Sequence, residues 1–317
     1  MYFIDKTRHW KDGHAIIKDY LEKHSKGPDG RYKDISYDLN LNGKQSFSSA
    51  AGGRYKKNLI EVLRENQDSL CCYCLRRLKQ AKVIKYKDES GNEKEEETEQ
   101  HITLEHIIPK GLSSADSAQV KLYRKAPFLS EKEVELTDLY EQDTFNQHSR
   151  VEPHVVSYNN IVLSCNGTFP DVVNKKNNKS KCCCNEARVR ENAYPIYFHM
   201  DVADYVDYLK DGDIQATLGK DLTNEVEEMI SNTKLNSDSL KHIRLVWYAL
   251  RNEGKDEIIK ANSSPDKRNS LLSKYLYANI KDISLAYNLH TKFLKDSQWE
   301  TLMLYDTFYD IMNSIYP

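Results

Sequence analysis

The sequence predicts an α+β fold: a small core of two strands and a short helix gathered around clustered cysteines, with a helical segment before it and an all-helical region after it. Three observations carry that expectation. The seven cysteines fall into two clusters, Cys71/Cys72/Cys74 and Cys182/Cys183/Cys184, with Cys165 between them. Apolar residues recur at helical spacing toward both ends of the chain. Between those ends, short apolar runs alternate with polar stretches, the pattern of strands joined by loops. The expected division is an N-terminal helical segment over 1–70, a cysteine-bearing core over 71–200 and a C-terminal helical domain over 201–317.

Taken in order, residues 9–23 place Trp10, Ile16, Ile17, Tyr20 and Leu21 at helical spacing, and residues 55–66 do the same with Leu59, Ile60, Val62 and Leu63. The stretch between them, from Lys26-Gly-Pro-Asp-Gly30 to Leu41-Asn-Gly43, is dense in turn formers and reads as loop. Residues 82–87 (KVIKYK) and 98–108 read as strands flanking a Gly91-Asn92 turn, which makes the acidic run at 88–99 an exposed hairpin tip. Residues 111–157 are polar and without a clear period. Tyr158-Asn-Asn-Ile-Val-Leu-Ser-Cys165 is then a short apolar strand, and a polar stretch leads from it into a short helix at 184–191. Beyond 201 the pattern is of amphipathic helices, with 240–250 and 271–289 the clearest.

Lys and Arg total 46 against 48 Asp and Glu, so no chain-wide field draws a polyanion, and any nucleic-acid surface must be local. Lys175, Lys176, Lys179, Lys181, Arg188 and Arg190 form the basic stretch that can meet phosphates. No apolar run approaches the roughly 20 residues that span a bilayer, so no membrane is expected. The first ten residues lack the apolar core of a secretion signal, which makes a cytoplasmic protein the expectation. In a reducing compartment an odd number of clustered cysteines points to metal binding. Cys71 and Cys74, two residues apart, have the spacing that takes adjacent corners of a zinc tetrahedron.

Four pieces carry chemistry: Cys71-Cys-Tyr-Cys74, Leu104-Glu-His-Ile-Ile-Pro109, Asn160-Ile-Val-Leu-Ser-Cys165 and Cys184-Asn-Glu-Ala-Arg188. Together they follow the order of a ββα-metal nuclease. Hydrolysis of a phosphodiester needs an activated water, neutralisation of charge on the phosphate and help for the departing oxygen. His106 suits the general base, and Asn160 can orient its ring or pin the loop that does so. Glu105 and Asn185 offer the hard oxygens that Mg2+ or Mn2+ prefers. Adjacent strand residues point to opposite faces, so Glu105 and His106 can serve one phosphate only where the strand end twists or bends; Pro109 and Gly111 are consistent with it stopping there. Cys71, Cys74, Cys165 and Cys184 are the expected ligands of a structural zinc, with Cys182 the runner-up for the fourth corner and Cys72 and Cys183 bystanders. His101, His148 and His154 sit in polar segments as surface residues, and the 21 tyrosines are expected to pack helices or cover interfaces.

These motifs resemble the HNH endonuclease superfamily. Glu rather than Asp before the His, the Cys71-Cys-Tyr-Cys74 knuckle and the downstream Lys234-Leu-Asn-Ser-Asp-Ser-Leu-Lys-His-Ile-Arg244 look like the PtuB-like nucleases of Septu and retron anti-phage systems, over residues 50–245 or so. The resemblance implies an endonuclease effector working with an ABC-type, PtuA-like ATPase on nucleic acid, DNA ahead of RNA. It also implies Glu105 and Asn185 as ligands of the catalytic cation and His106 as base. Two positions depart from the pattern: Arg188 stands where such helices commonly have Lys, and Val189 where Gly is common. The rival readings are a zinc-bound nucleic-acid-binding protein without activity and an adaptor acting through its C-terminal helices. Against loss of activity, Glu105, His106, Asn160 and Asn185 are all present.

Overall fold

The computed structural model describes residues 1–24, 50–78, 83–87, 93–97, 102–107, 156–167, 182–188, 193–253, 304–305 and 307–308. The expected loop at 26–43, the helix at 271–289, the basic residues Lys175, Lys176, Lys179, Lys181 and Arg190, and His101, His148, His154, Pro109, Gly111 and Val189 lie outside them.

Helix α1 (Trp10–His24) buries Ile17, Tyr20 and Leu21 against Tyr55, Leu59, Ile60 and Leu63 of α2 (Ala50–Asn66). Both stripes follow the three- and four-residue spacing that puts side chains on one helical face. Trp10, at the start of α1, stays about half exposed (48%). Gly13 of α1 makes room for the Tyr158 ring, because a Cβ there would stand 2.1 Å from a ring carbon.

Strands β1 (Val83–Lys87) and β2 (Glu93–Glu97) pair antiparallel, with Lys85 opposite Glu95 and Lys87 opposite Glu93. The acidic run is therefore a strand in its own right and not only a hairpin tip. Opposite charges at facing positions favour such a pairing despite the poor strand propensity of Glu. The strand expected over 98–108 is β3 (Ile102–His106) within the described residues.

β3 pairs antiparallel with β4 (Ile161–Cys165), from Ile102 opposite Cys165 to His106 opposite Ile161. Every residue of β4 is buried, as its unbroken apolar run requires. Among the described residues, side chains and loop backbone, not a third strand, meet the edge of β4 away from β3. Lys6 Nζ donates to the Ile161 carbonyl (2.5 Å), the Gln67 amide pairs with both backbone groups of Leu163 (2.7 and 3.0 Å), and the Cys72 amide also donates to the Leu163 carbonyl (3.1 Å). A short helix, α3 (Cys184–Arg188), packs on β4.

The C-terminal region is not all-helical: β5 (Val206–Tyr208) and β6 (Ile214–Ala216) form an antiparallel hairpin ahead of α4 (Thr223–Asn232) and α5 (Asp238–Glu253). Its turn uses Gly212 at φ +84°, and buried Arg244 of α5 donates to the Gly212 carbonyl (2.7 Å) and to Leu235. Asn236 completes the clamp by pairing with both backbone groups of Ile214 (2.8 Å each). One continuous apolar core runs from Met1 through Leu163 and Trp247 to Phe308 and joins all three expected segments. Backbone bonds cross between them as well, from Ile4 to Tyr197, Arg77 to Leu304 and Cys184 to Thr233. Among the described residues no helix is long and apolar enough to cross a membrane.

Candidate metal centre and the adjoining strand end

The chain leaves α2 through Asp68 and Ser69, both with left-handed backbone, and turns back on itself between the bridged residues Leu70 and Arg77. Inside this turn the Cys71 amide donates to the Arg76 carbonyl (2.8 Å) and the Leu75 amide to the Cys71 carbonyl (3.1 Å), with Leu75 at φ +62°. The tight reversal brings the thiols of Cys71 and Cys74 together. Cys165 comes from the end of β4, and its amide donates to the Cys71 sulfur (3.3 Å). Cys184 opens α3 in the left-handed region, φ +56°. For a non-glycine residue that backbone costs roughly 1–3 kcal/mol and persists only where its surroundings hold it. Here the Cys184 amide is held by the Thr233 carbonyl (2.8 Å) and the Cys183 amide by that of Gly167 (3.1 Å). Gly167, at φ +67°, admits this approach because a Cβ would lie 2.0 Å from the Cys183 carbonyl oxygen.

The result is four buried sulfur atoms, of Cys71, Cys74, Cys165 and Cys184, all within 4.8 Å of one another. Zinc bound tetrahedrally at about 2.3 Å from each sulfur gives sulfur–sulfur edges of about 3.8 Å. Cys74 and Cys165 already stand at 3.7 Å. The four thiols can hold a zinc ion. Burial pushes the Cys74 and Cys184 thiols well up. Burial also acts against ionisation of Cys71, yet hydrogen bonds from Cys165, Cys184, Cys72 and Cys74 hold it well below the usual thiol range. Such a cluster ionises only in part unless a cation joins it. Four thiolates around a divalent ion keep a net negative charge, and buried Arg76 lies in the field of Cys165, Cys74 and Cys183, where these thiols and Tyr305 favour its charge against the penalty of burial.

The two expected bystanders are both buried. Cys72 is buried, its thiol pushed up by burial and by Cys71, and it is outside the four. Cys183 is buried too, with its sulfur 3.4 Å from that of Cys184, and it is likewise outside the four. Cys182, the expected runner-up, is half-buried.

On β3 the alternation of side chains puts Thr103 and Glu105 on one face and Ile102, Leu104 and His106 on the other. The first face meets α3. Asn185 Nδ2 bonds Thr103 Oγ1 (3.1 Å), and three residues along the same helix Arg188 pairs with Glu105. Glu105 is buried and also accepts from the Tyr73 hydroxyl (3.0 Å). Burial pushes its carboxyl up, while Arg188 and Tyr73 pull the other way. Both hydrogen bonds fall on Glu105 Oε1, so Oε2 stands outside them, as does Oδ1 of Asn185. Arg188 does not lie on a solvated basic face. It is 3% exposed, and its guanidinium reaches the Tyr73 hydroxyl (3.2 Å) and the carbonyls of His106 (2.9 Å) and Ile107 (3.0 Å) as well.

Consecutive carbonyls of an extended strand point in opposite directions, so one guanidinium can bond two of them only where the backbone leaves the pleat. That departure falls at His106–Ile107, where the chain bends. The Ile107 amide is still fixed to the Asn160 carbonyl (3.0 Å). Asn160, buried at the entry to β4, thus pins the strand end through its backbone, and His106 sits buried at the bend. The residues that sequence reasoning missed here are Arg188 as the partner of Glu105, Tyr73 beside it, Thr103 under Asn185 and Arg76 beside the thiols. The three-residue spacing of Asn185 and Arg188, matched to the two-residue spacing of Thr103 and Glu105, is the readable signal. Comparison with family models, with curated proteins and with solved structures finds no match to this chain.

Proposed function

We propose that this chain is a metal-dependent endonuclease of the HNH type, hydrolysing nucleic-acid phosphodiesters with His106 as general base and with Glu105 and Asn185 as ligands of a divalent cation. The observation that carries this reading is the meeting of α3 with one face of β3, which sets Asn185 on Thr103 and Arg188 on Glu105. His106 ends the same strand, where the backbone bends beside Glu105 under the grip of Arg188 and Asn160. The antiparallel pair β3–β4 followed by α3 supports the same reading, as do the two hard oxygens, Glu105 Oε2 and Asn185 Oδ1, that stand outside the local hydrogen bonds.

In this account the residues divide the work. His106, held at the strand end, takes the proton of the attacking water. Asn160 and Arg188 fix the backbone on which that imidazole stands. Tyr73 and Arg188 hold Glu105 in a single rotamer, and Thr103 does the same for Asn185, so both oxygens are oriented before any substrate arrives. A bound Mg2+ or Mn2+ supplies neutralisation of the charge that develops on the phosphate. Arg188, already at the site, adds a fixed positive charge. The thiol centre takes no part in the chemistry: it ties the knuckle, β4 and α3 together and so sets the distance between helix and strand. The role as an anti-phage effector and the partnership with an ABC-type ATPase follow from the sequence resemblance.

The test is cleavage of linear and circular DNA and of RNA by the purified chain, alone and with a candidate ATPase, in Mg2+ or Mn2+ against a chelator. Cleavage that needs the added cation is expected. Binding of nucleic acid without cleavage under every one of these conditions would favour the inactive zinc-bound reading instead.

A further inference from the structure

The two oxygens of the Glu105 carboxylate are used differently. Both hydrogen bonds to it fall on Oε1, from the Tyr73 hydroxyl (3.0 Å) and from Arg188 Nη1. An ionised carboxylate oxygen carries two lone pairs, so these two donors fill Oε1. Both donors are themselves fixed. Tyr73 is 1% exposed, lies between Cys72 and Cys74 in the knuckle and stands edge-on to the Tyr197 ring, with 5.8 Å between centroids. Arg188 is bound at the same time to the Tyr73 hydroxyl (3.2 Å) and to the carbonyls of His106 (2.9 Å) and Ile107 (3.0 Å). Oε2 is what Glu105 has left to offer a cation. Asn185 likewise offers a single oxygen, because its Nδ2 is held by Thr103 Oγ1 (3.1 Å) and only Oδ1 of the amide can coordinate a metal.

Two single oxygens suit some ions and not others. Mg2+ is small and strictly octahedral, binds through one or two carboxylates and keeps water and phosphate in the rest of its shell. Ca2+ is larger, gathers roughly six to eight oxygens and readily takes both oxygens of one carboxylate. At Glu105 the second oxygen is already filled.

On the proposed function, which places a divalent cation on Glu105 and Asn185, we infer that Tyr73 and Arg188 select the cation: by filling Oε1 they hold Glu105 to one-oxygen coordination and so favour Mg2+ over Ca2+. Tyr73 is thus a selectivity residue that acts through Glu105 and never touches the ion.

Tyr73→Phe deletes the hydroxyl, reopens one lone pair of Oε1 and keeps the ring against Tyr197, so fold and zinc content are expected to match the wild type. Mn2+ bound to the zinc-loaded full-length protein is followed by electron paramagnetic resonance while Mg2+ or Ca2+ is titrated against it. In the wild type Mg2+ displaces Mn2+ better than Ca2+ does. In Tyr73→Phe that preference falls roughly tenfold, the usual scale for losing a partner of a metal ligand. A wild-type protein without the preference, or a Tyr73→Phe protein that keeps all of it, would overturn the inference and leave the cation site standing. Mn2+ binding that Glu105→Gln leaves unchanged would take the cation away from Glu105, and both readings with it. Should Tyr73→Phe not fold, infrared spectra of the wild type with Ca2+, with the Glu105→Gln spectrum subtracted, answer the same question. A wide separation of the antisymmetric and symmetric carboxylate stretches marks one-oxygen ligation and supports the inference, and a narrow one marks two-oxygen ligation and refutes it.

Discussion

The thiol centre and the Glu105 pocket both bury ionisable groups within a few residues of β3, and they balance that charge by different means. At the thiol centre the chain brings four buried thiols together, with buried Arg76 beside them as a cation. In the Glu105 pocket the carboxylate already has a guanidinium, a phenol and a fixed helix against it. The first is incomplete as folded polypeptide and calls for an ion to hold four thiolates. The second is complete, so a divalent cation arriving there adds to a site that exists without it. On the proposed function, one ion belongs to the fold and the other to the reaction.

Several measurements can break that distinction or sharpen it. The largest effect belongs to the thiols. Structural zinc contributes on the order of 10 kcal/mol in small zinc domains, comparable to the whole stability of an ordinary domain. Stripping the metal, or making Cys74→Ser or Cys165→Ser, is therefore expected to abolish cooperative unfolding, read by thermal denaturation beside metal analysis. A stripped protein that melts as the wild type does would place the centre outside the stability of the fold.

Next comes the ion pair. Arg188→Met leaves Glu105 buried without its counter-charge, a change that costs roughly 3–5 kcal/mol. The double variant Arg188→Met/Glu105→Gln should recover most of that loss. Equal destabilisation in single and double variants would mean that Arg188 acts by packing rather than by charge. Zinc content is expected to stay at the wild-type level in both.

What the sequence discloses follows the same divide. Clustered cysteines point to a shared ligand, and the four read from the spacing, Cys71, Cys74, Cys165 and Cys184, come together from three elements. The stripes of α1 and α2 are legible for the ordinary reason that each buries one face. Arg188 misleads because a charge in a basic run normally faces water, and nothing local marks the exception. Its partner Glu105 is 83 residues away. The hairpin β5–β6 escapes notice because three-residue strands are too short to show alternation, although Lys210-Asp-Gly-Asp213 between them is good turn chemistry. The stretch Lys234–Arg244, which carries the resemblance, also has a local structural role, since Asn236 and Arg244 close that hairpin. Cys183 stays outside the four that the spacing picks out, although its sulfur lies 3.4 Å from that of Cys184.

A smaller effect is expected at the edge of β4. Gln67 satisfies both backbone groups of Leu163 and is fully buried, so Gln67→Ala leaves buried polar groups unmet, at about 1–3 kcal/mol each by the usual measure. Slowed amide exchange over Ile161–Cys165 should become faster in that variant. Unchanged exchange would mean that water replaces the glutamine without loss.

The smallest effect is one of pH. Burial lowers the pKa of His199, half-buried against the Tyr194 hydroxyl (3.1 Å), below its ordinary 6.5. A depressed value means that the folded protein resists the proton more than the unfolded chain does, so this contribution is whole above pH 6.5 and is lost as the pH falls through the folded value. His199→Gln should narrow the gap in melting temperature between neutral and mildly acidic buffer. An unchanged gap would assign the acid sensitivity to other groups.

The most direct measurement of the central claim pairs activity with metal content in His106→Ala. That variant is expected to fold, carry its zinc and melt close to the wild type, yet no longer cleave nucleic acid in Mg2+ or Mn2+. A His106→Ala protein that cleaves at the wild-type rate would contradict it, and with it the assignment of the bend at His106–Ile107 to catalysis.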